Sequence, residues 1–394
     1  MTSATSSSGD LVVVIAGTSW DGTWHSERHL ALHLSERMPV LWVDPQMSCL
    51  TPLREPEAGK SLREDRLRRV APNIMRLTPV TIPGVSRPVL RELAVRQARR
   101  AVRRAVARIG ARVHTTIVAS LNDMLDVVPS AQRVFYGTDD FVAGAELMGT
   151  DAAWLQELTD RQLAGADIVV ATSPPLQEKW SAQRPGIVMI PNGCDAGHFA
   201  KADEAPLPAD VRLPGPIAGF VGAMSERIDL VLLEAVAATG VSLLLVGPCQ
   251  PTFDIAKLDA LLELPNVQWV GPKDFRELPS YLRVIDVGLT PYGPTDFNVA
   301  SFPLKTLEYL AAGRPVVATD LPAHRWLQTD HVTITQTPAE FAAQTQALLA
   351  APRSPQDVAA RRALGARHSW AGRAAQIAEL IGLDAPQASR TQAA

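Results

Sequence analysis

The sequence has few cysteines and no long hydrophobic run. Its 394 residues include three cysteines, Cys49, Cys194 and Cys249, an odd number that lacks the paired spacing of a zinc site. No apolar run approaches the roughly 20 residues that a membrane-spanning helix needs. Residues 1–10 are rich in serine and threonine and contain no basic residue, so they predict a disordered lead rather than a signal peptide. Together these absences predict a protein of the reducing cytoplasm.

Several motifs of catalytic chemistry are missing as well. There is no G-x-G-x-x-G after the first predicted strand, which argues against a NAD-dependent dehydrogenase. There is no D-x-D metal motif, because Asp139 and Asp140 are adjacent rather than spaced. His25, His29 and His33 lie four residues apart on a predicted helix, but without an H-E-x-x-H context they indicate a solvated or structural helix face. We therefore predict no metal ion and no bound cofactor.

The charges are distributed unevenly along the chain. The net charge is −3, yet the stretch from Arg54 to Arg112 holds sixteen basic and five acidic residues, so it carries +11 and the remainder −14. Most of this excess lies on a predicted helix over residues 87–108, whose single acid is Glu92. The face could be an ordinary solvated one. It could also contact anionic headgroups, which would place the protein peripherally at the inner face of the membrane. Nucleic acid is a weaker candidate, because aromatic residues for base stacking are absent there. The arginines of this helix are Arg87, Arg91, Arg96, Arg99, Arg100, Arg103, Arg104 and Arg108.

Short β-branched runs alternate with helical stretches along most of the sequence. Buried runs of this kind are typical of parallel sheets that are covered on both faces. The alternation stops at residues 194–214, where acidic residues and prolines indicate a linker, and then resumes. A chain of this length is also too long for one ordinary domain. The predicted organisation is a disordered lead at 1–10, a first domain at 11–193, the linker at 194–214, a second domain at 215–354, C-terminal helices at 355–384 and a disordered tail at 385–394. The predicted strands are 11–16, 40–43, 116–119, 134–136, 168–171 and 188–190, then 217–221, 243–246, 267–270, 287–290, 316–318 and 332–335.

The segment 301–319 carries the strongest functional pattern. It predicts a short helix that begins at Ser301, ends at Gly313 and is followed by a buried strand. Lys305 and Glu308 are three residues apart, so both project from one side of the helix. A helix N-terminus with a cation suits a phosphate, and a carboxylate one turn later suits a pair of ribose hydroxyls. The alternative is a surface helix with an ordinary ion pair.

This segment resembles the donor-site signature of retaining glycosyltransferases of the GT-B fold, especially family 4. The resemblance extends to the segments 190–195, 220–223, 266–271 and 278–291, which keep the family's order and spacing. It implies an α/β protein with two Rossmann-like, doubly wound domains that face a cleft, and a C-terminal helix that crosses back to the first domain. The implied substrate is a nucleotide diphosphate sugar, with UDP favoured over GDP. The implied activity is a retaining, hexosyltransferase-type transfer to a hydroxyl of a glycan, a lipid-linked or a small-molecule acceptor.

The resemblance also assigns residues to the donor. Arg227 follows a glycine-containing strand end and could neutralise a diphosphate. Pro272 and Lys273 occupy the position of the family's nucleobase pocket. One departure matters: the first acid of the family's Glu-x7-Glu pair is replaced by Ala300, so Asn298 and Ser301 could bind the sugar hydroxyls instead. The donor-binding candidates are Gly17, Gly222, Arg227, Pro272, Lys273, Asn298, Ser301, Leu304, Lys305 and Glu308.

The acceptor is expected at the carboxyl ends of the first domain's strands, where doubly wound sheets bind ligands. The loop after the first strand offers Trp20, Asp21 and Trp24, although it could also be a plain tight turn with both tryptophans packed on the domain. Asp139 and Asp140 follow another strand and could hold an acceptor hydroxyl or receive its proton, or could simply cap the next helix. The resemblance favours Asp140, with Asp139 as the second candidate. Two other functions remain open: a non-catalytic nucleotide-sugar-binding protein and a nucleotide-sugar epimerase.

Overall fold

The computed structural model describes residues 9–22, 24–51, 66–84, 88–250 and 253–383. The tail that the sequence predicts at 385–394 lies outside these residues, as do residues 1–8 of the predicted lead. The last residue of that predicted lead, Asp10, begins the first strand and pairs with Arg112 through two hydrogen bonds of 2.8 Å.

Within the described residues, sixteen strands form two large sheets and one small one. The first sheet has the order β10-β9-β8-β7-β1-β2-β5-β4, the second has the order β13-β12-β11-β14-β15-β16, and β3 pairs with β6. The strands are β1 Asp10–Ala16, β2 Val40–Val43, β3 Met47–Ser48, β4 Leu67–Ala71, β5 Ile74–Leu77, β6 Val80–Thr81, β7 Arg112–Ala119, β8 Gln132–Gly137, β9 Ile168–Ala171, β10 Val188–Met189, β11 Ile217–Val221, β12 Ser242–Val246, β13 Val267–Trp269, β14 Val287–Thr290, β15 Val316–Thr319 and β16 Val332–Thr335.

Helices connect the strands and cover both faces of each large sheet. They are α1 Ser26–Leu34, α2 Pro88–Ile109, α3 Ala152–Gly165, α4 Pro174–Ser181, α5 Ala196–Phe199, α6 Leu230–Ala238, α7 Ile255–Leu262, α8 Leu278–Val284, α9 Asp296–Ala300, α10 Leu304–Ala311, α11 Pro322–Trp326, α12 Pro338–Ala350, α13 Pro355–Arg367 and α14 Trp370–Leu380. None of the helices in the described part of the chain is long and apolar enough to cross a bilayer.

The pairing within the large sheets is parallel except at one hairpin. β4 and β5 are antiparallel, and Asn73 makes the turn between them with a left-handed φ of 59°. The sequence pattern did not predict this hairpin, because Arg68, Arg69 and Arg76 interrupt its apolar residues. The central strands β2, β11, β12 and β14 are buried along their whole length, as expected for parallel sheets between helices.

Each sheet packs between two helical layers. In the first domain, α2 and α3 cover one face, where Val102 and Leu163 share a core cluster. On the other face, Ile377 and Ala378 of α14 pack with Leu30 of α1. The C-terminal helix therefore crosses back to the first domain, and the predicted fold class, two doubly wound α/β domains, is confirmed.

The segment predicted as a hydrophilic linker also contributes to the second core. It contains α5 and a short 3-10 helix, Ala202–Glu204. Phe199 and Ala202 are fully buried against the second domain. Asp203 accepts a hydrogen bond of 2.6 Å from Arg314, whose side chain is fully buried. The linker is thus fixed to the second domain by packing and by this ion pair.

Candidate functional site

Three hydrogen bonds join the domains near the carboxyl ends of their strands. Ser301 donates its hydroxyl to Asp139 Oδ1 at 3.1 Å, and Asn192 Nδ2 donates to the carbonyl of Phe302 at 3.1 Å. The hydroxyl of Ser173 donates to the carbonyl of Ala300. The segment between α9 and α10 therefore lies against the carboxyl edge of the first sheet, the edge at which ligands bind in doubly wound folds.

The α10 helix carries the predicted Lys305–Glu308 pair. Lys305 Nζ lies 3.0 Å from Glu308 Oε2, and only 8% of Glu308 is exposed. Burial alone would lower the pKa of Lys305, but the Glu308 carboxylate outweighs that effect and holds the pKa above its ordinary value. The alternative to a donor site was a surface helix with an exposed i,i+3 ion pair. A carboxylate as buried as that of Glu308 differs from such a pair.

The α10 helix begins three residues later than predicted, at Leu304. Ser301 instead ends α9, because its hydroxyl donates back to the carbonyl of Phe297 at 2.7 Å. Pro303 stands at the N-cap of α10 and offers no side-chain cap. The amides of the first turn, including those of Leu304 and Lys305, are thus left without a capping side chain, which is the arrangement that favours an anion.

Arg227 is held in place by Asn298, which is fully buried. Asn298 Oδ1 accepts from Arg227 Nε at 2.8 Å, and its Nδ2 donates to the carbonyls of Arg227 and Gly293 at 2.9 Å. The guanidinium also lies 4.9 Å from the centre of the Phe297 ring. Asn298 positions Arg227 here, and its predicted contact with a sugar hydroxyl stays a prediction.

Two glycines of the predicted site permit close approach of the backbone. A Cβ at Gly17 would lie 2.9 Å from the carbonyl oxygen of Ala119 on the neighbouring strand β7. In the second domain, a Cβ on Gly247 would lie 2.0 Å from the carbonyl oxygen of Gly222. Both positions therefore keep the loops after central strands tight against their neighbours.

A buried ion pair holds the loop after β1 against its domain. Arg76 Nε lies 2.6 Å from Asp44 Oδ2, and both side chains are buried. Asp44 also accepts from the amide of Trp20 at 2.9 Å, while Arg76 pairs with the exposed carboxylate of Asp21. Trp20 meets the Trp42 ring edge-on at 5.3 Å and is buried, so it packs on the domain as the alternative reading expected.

Trp24 turns toward the second domain. Its ring stacks on Phe275 at 5.0 Å, and the guanidinium of Arg28 lies 4.0 Å from its centre. Nearby, His29 stacks on Trp370 of the crossing helix at 5.4 Å. Burial lowers the pKa of His29 to about 3, so this histidine is a neutral packing residue.

The structure separates the two adjacent aspartates. Asp140 pairs with Lys179 at 2.7 Å and caps the amide of Ala143 at 3.1 Å, so both of its oxygens are engaged. Among the described residues, Asp139 accepts a hydrogen bond only from Ser301, through Oδ1. Burial raises the pKa of Asp139, and the positive charge of Arg227 and the Ser301 hydroxyl oppose that rise only in part. Of the two carboxylates, Asp139 is the one at the domain junction, and not Asp140, which the resemblance favoured.

The other predicted contacts of the second domain are used by the protein itself. Lys273 Nζ lies 2.6 Å from Asp210 Oδ2, and this hydrogen bond raises the pKa of Lys273. The lysine thereby ties the linker to the second domain, while the neighbouring Pro272 is exposed. Within the described residues, no group of three or more His, Cys, Asp or Glu side chains is placed to hold a metal ion.

Residues 215–351 match the family model described as Glycosyl transferases group 1. The match covers the second domain. The chain is also 34% identical over 179 residues to TuaH of Bacillus subtilis, which is named as a teichuronic acid biosynthesis glycosyltransferase. That match covers 44% of this chain and 45% of TuaH, so it spans less than half of the relative's length.

Solved structures share the architecture of the whole chain. Sucrose-phosphate synthase from Thermosynechococcus elongatus superposes with a TM-score of 0.71 at 20% identity, covering 94% of this chain and 98% of the synthase. HepE from Anabaena, in complex with UDP and glucose, gives 0.61 at 16% identity over 94% and 99% of the two chains. A UDP-forming trehalose-phosphate synthase from Burkholderia xenovorans, in complex with glucose-6-phosphate, gives 0.65 at 14% identity over 95% and 100%. These likenesses establish the GT-B fold, and the family-model match over residues 215–351 confirms the predicted resemblance to group 1 glycosyltransferases.

One candidate residue near the group 1 domain escaped the sequence analysis. Glu27, in the first turn of α1, is 4% exposed and accepts a single hydrogen bond, from the hydroxyl of Thr18 at 2.9 Å. Its Oε2 has no partner in the part of the chain that the structure describes. Its negative charge contributes to the raised pKa of Asp139. The sequence does show an acid in the first turn of the helix that follows the Gly17 loop. Acids are common at that position of any helix, and only the burial of Glu27 distinguishes it from them.

Proposed function

We propose that this protein is a glycosyltransferase that moves a sugar from a nucleotide diphosphate sugar to a hydroxyl acceptor. The observation that carries the proposal is the buried Lys305–Glu308 pair behind the uncapped start of α10, in a group 1 domain and beside Asp139. The name of TuaH and the UDP bound to HepE support it and favour a UDP-sugar over a GDP-sugar. The resemblance to family 4 supports transfer with retention of the anomeric configuration.

The donor's diphosphate and its ribose would each meet complementary groups. We propose that Lys305, Arg227 and the first amides of α10 balance the diphosphate without an obligatory metal ion, because cations and a helix N-terminus together stabilise such a charge. Glu308 would accept hydrogen bonds from the ribose hydroxyls. On the opposite domain, Asp139 would hold the acceptor hydroxyl as its proton leaves.

The donor assignment predicts the outcome of a nucleotide-sugar screen. At 100 times its Kd, the correct donor is expected to raise the free energy of unfolding by about 2.7 kcal/mol. Thermal shift with UDP- and GDP-sugars measures this, and chromatography of the products then identifies the reaction. Free nucleotide indicates transfer, a new nucleotide sugar indicates an epimerase, and unchanged donor indicates a binding protein. A screen in which no nucleotide sugar stabilises the protein contradicts the proposal.

The second prediction concerns Glu27. We expect Glu27→Gln to lower turnover by about 10- to 100-fold, the equivalent of a lost hydrogen bond to a charged group, while the Kd of the nucleotide stays unchanged. Because the charge of Glu27 raises the pKa of Asp139, removing it should also lower that pKa, so the acid limb of the pH–rate profile should move to lower pH. The control is Glu36→Gln, just beyond the exposed end of the same helix. A profile that keeps its acid limb would leave Glu27 with a purely structural role.

We further propose that the protein is cytoplasmic and contacts the inner face of the membrane through α2. The structure divides the arginines of this helix into two groups. Arg99 donates to the carbonyl of Asp123 at 2.8 Å, and Arg103 donates to the carbonyl of Val127 at 2.9 Å, so both hold the helix to its own domain. Arg100 and Arg104 are exposed and have no protein partner within the described residues. These two are therefore the arginines expected to meet anionic headgroups.

A further inference from the structure

The first domain exposes large hydrophobic side chains in one region. Within its described residues there are five of them, and all lie on segments beyond the carboxyl ends of the strands. One follows β3, two lie in the first turns of α2, and two lie between β8 and α3. They are Leu50 with 43% of its surface exposed, Val89 with 71%, Leu93 with 41%, Leu147 with 43% and Met148 with 38%. We call these five residues the apolar rim. Exposed apolar groups that gather in this way mark an interaction surface.

Four members of the rim lie on neighbouring elements. The α2 and α3 helices cover the same face of the sheet, and the guanidinium of Arg91 lies 4.1 Å from the centre of the Trp154 ring. This contact brings the first turns of α2 next to the start of α3. Leu147 and Met148 precede α3 by only a few residues, so they lie at the same end of this helical layer as Val89 and Leu93.

The same face of α2 continues from apolar to cationic. Val89, Leu93, Arg96, Arg100 and Arg104 follow one another at spacings of three or four residues, so they form one stripe along the helix. An exposed apolar end with arginines behind it is the pattern of a surface that inserts into a bilayer interface. An anionic bilayer also fits the charge asymmetry of the chain, since it attracts the stretch that carries +11 and repels the remainder.

We infer that the apolar rim inserts into an anionic lipid bilayer and that the acceptor is lipid-linked. The acceptor half of this inference rests on the proposed glycosyltransferase function, whereas the membrane contact does not. The reason for joining them is position: Asp139 lies two residues after the end of β8, and the loop that it begins leads to Leu147. A lipid-linked acceptor could stay anchored at the rim while its sugar reaches Asp139. A soluble acceptor has no lipid that the apolar rim could hold at the membrane.

Vesicle binding tests the membrane contact. We expect the full chain to co-sediment with phosphatidylcholine–phosphatidylglycerol vesicles at 50 mM NaCl, and more weakly at 500 mM because salt screens the charges. Arg100→Gln/Arg104→Gln should weaken binding about 30-fold at low salt, the equivalent of about 1 kcal/mol for each charge. Leu93→Ser/Leu147→Ser should weaken it about tenfold at both salt concentrations, because apolar insertion is not screened.

Two matched variants carry equivalent changes away from the rim. Lys201→Gln/Lys257→Gln removes two exposed charges, and Leu207→Ser/Ile255→Ser removes two exposed apolar side chains. Both are expected to bind vesicles like the wild type. Wild-type protein that ignores anionic vesicles at 50 mM NaCl overturns the membrane contact. Rim variants that bind like their controls overturn the insertion.

A separate transfer assay tests whether the acceptor is lipid-linked. With the donor found by the nucleotide-sugar screen, transfer to dodecyl glycosides in vesicles is expected to exceed transfer to the matching methyl glycosides at least tenfold. Leu93→Ser/Leu147→Ser should abolish that preference and leave nucleotide binding unchanged. Equal transfer to both series, or transfer to neither, overturns the lipid-linked acceptor. Vesicle binding without any stabilising nucleotide sugar would instead retain the docking surface and reject the proposed function.

Discussion

Replacing Glu308 with alanine is expected to weaken the binding of UDP by about 1.5–3 kcal/mol, the range for a hydrogen bond to a charged group. The carboxylate is 8% exposed and is held by Lys305 at 3.0 Å, so it is already oriented when the nucleotide arrives. Its removal also deprives Lys305 of the charge that keeps its pKa high. The loss should therefore be larger for UDP than for uridine, because only UDP carries the diphosphate that Lys305 would meet.

Calorimetry with both ligands measures the two effects separately. The control is Glu234→Ala, an exposed glutamate on α6 of the same domain, which should bind UDP like the wild type. Circular dichroism should first establish that each variant is folded, because a half-buried lysine without its partner destabilises the helix. A folded Glu308→Ala protein with wild-type affinity for UDP would rule out the ribose assignment.

Much of the fold was predictable because parallel strands between two helical layers must be apolar on both sides. Val40–Val43, Ile168–Ala171, Ile217–Val221 and Val332–Thr335 appear as strands at the predicted bounds. Each is a short β-branched run with no competing pattern. The hairpin of β4 and β5 was missed because its arginines pair with partners that are distant in sequence, such as Asp44 with Arg76.

The candidate site was predictable in its residue types and less so in its geometry. The spacing of Lys305 and Glu308 specified the pair, but Pro303 moved the start of the helix from Ser301 to Leu304. A proline can stand before or in the first turn, and the residue preceding it is disfavoured in the helical conformation. Sequence spacing alone does not show which of these positions a proline takes.

The assignment of Asp139 over Asp140 required three-dimensional contacts. Asp139 contacts the second domain through Ser301, whereas Asp140 pairs with Lys179 of its own domain. Lys179 and Ser301, the partners that distinguish them, lie 39 and 162 residues away in the sequence. The same limit applies to Glu27, because burial of a carboxylate has no signature in a local pattern.

Asp139→Asn is expected to lower turnover by about 10²–10⁴-fold, the range for loss of a positioned general base. The Kd of the nucleotide should change little, because Asp139 and α10 belong to opposite domains. Asp140→Asn should have a smaller effect on turnover and a larger one on stability, since that carboxylate pairs with Lys179 and caps a turn. Steady-state kinetics with the donor found by the screen, together with thermal unfolding of both variants, measure these differences.

The pH dependence gives the assignment of Asp139 a second test. The reaction would need this carboxylate ionised, and burial raises its pKa above the ordinary value of 3.8. Turnover should therefore fall as the pH drops through that raised pKa, so the acid limb lies at a higher pH than an exposed aspartate would give. The limb should disappear from the residual activity of Asp139→Asn and persist in Asp140→Asn. If Asp139→Asn retains full turnover, or retains the same acid limb, the acceptor hydroxyl is held elsewhere and Asp139 serves only to join the domains through Ser301.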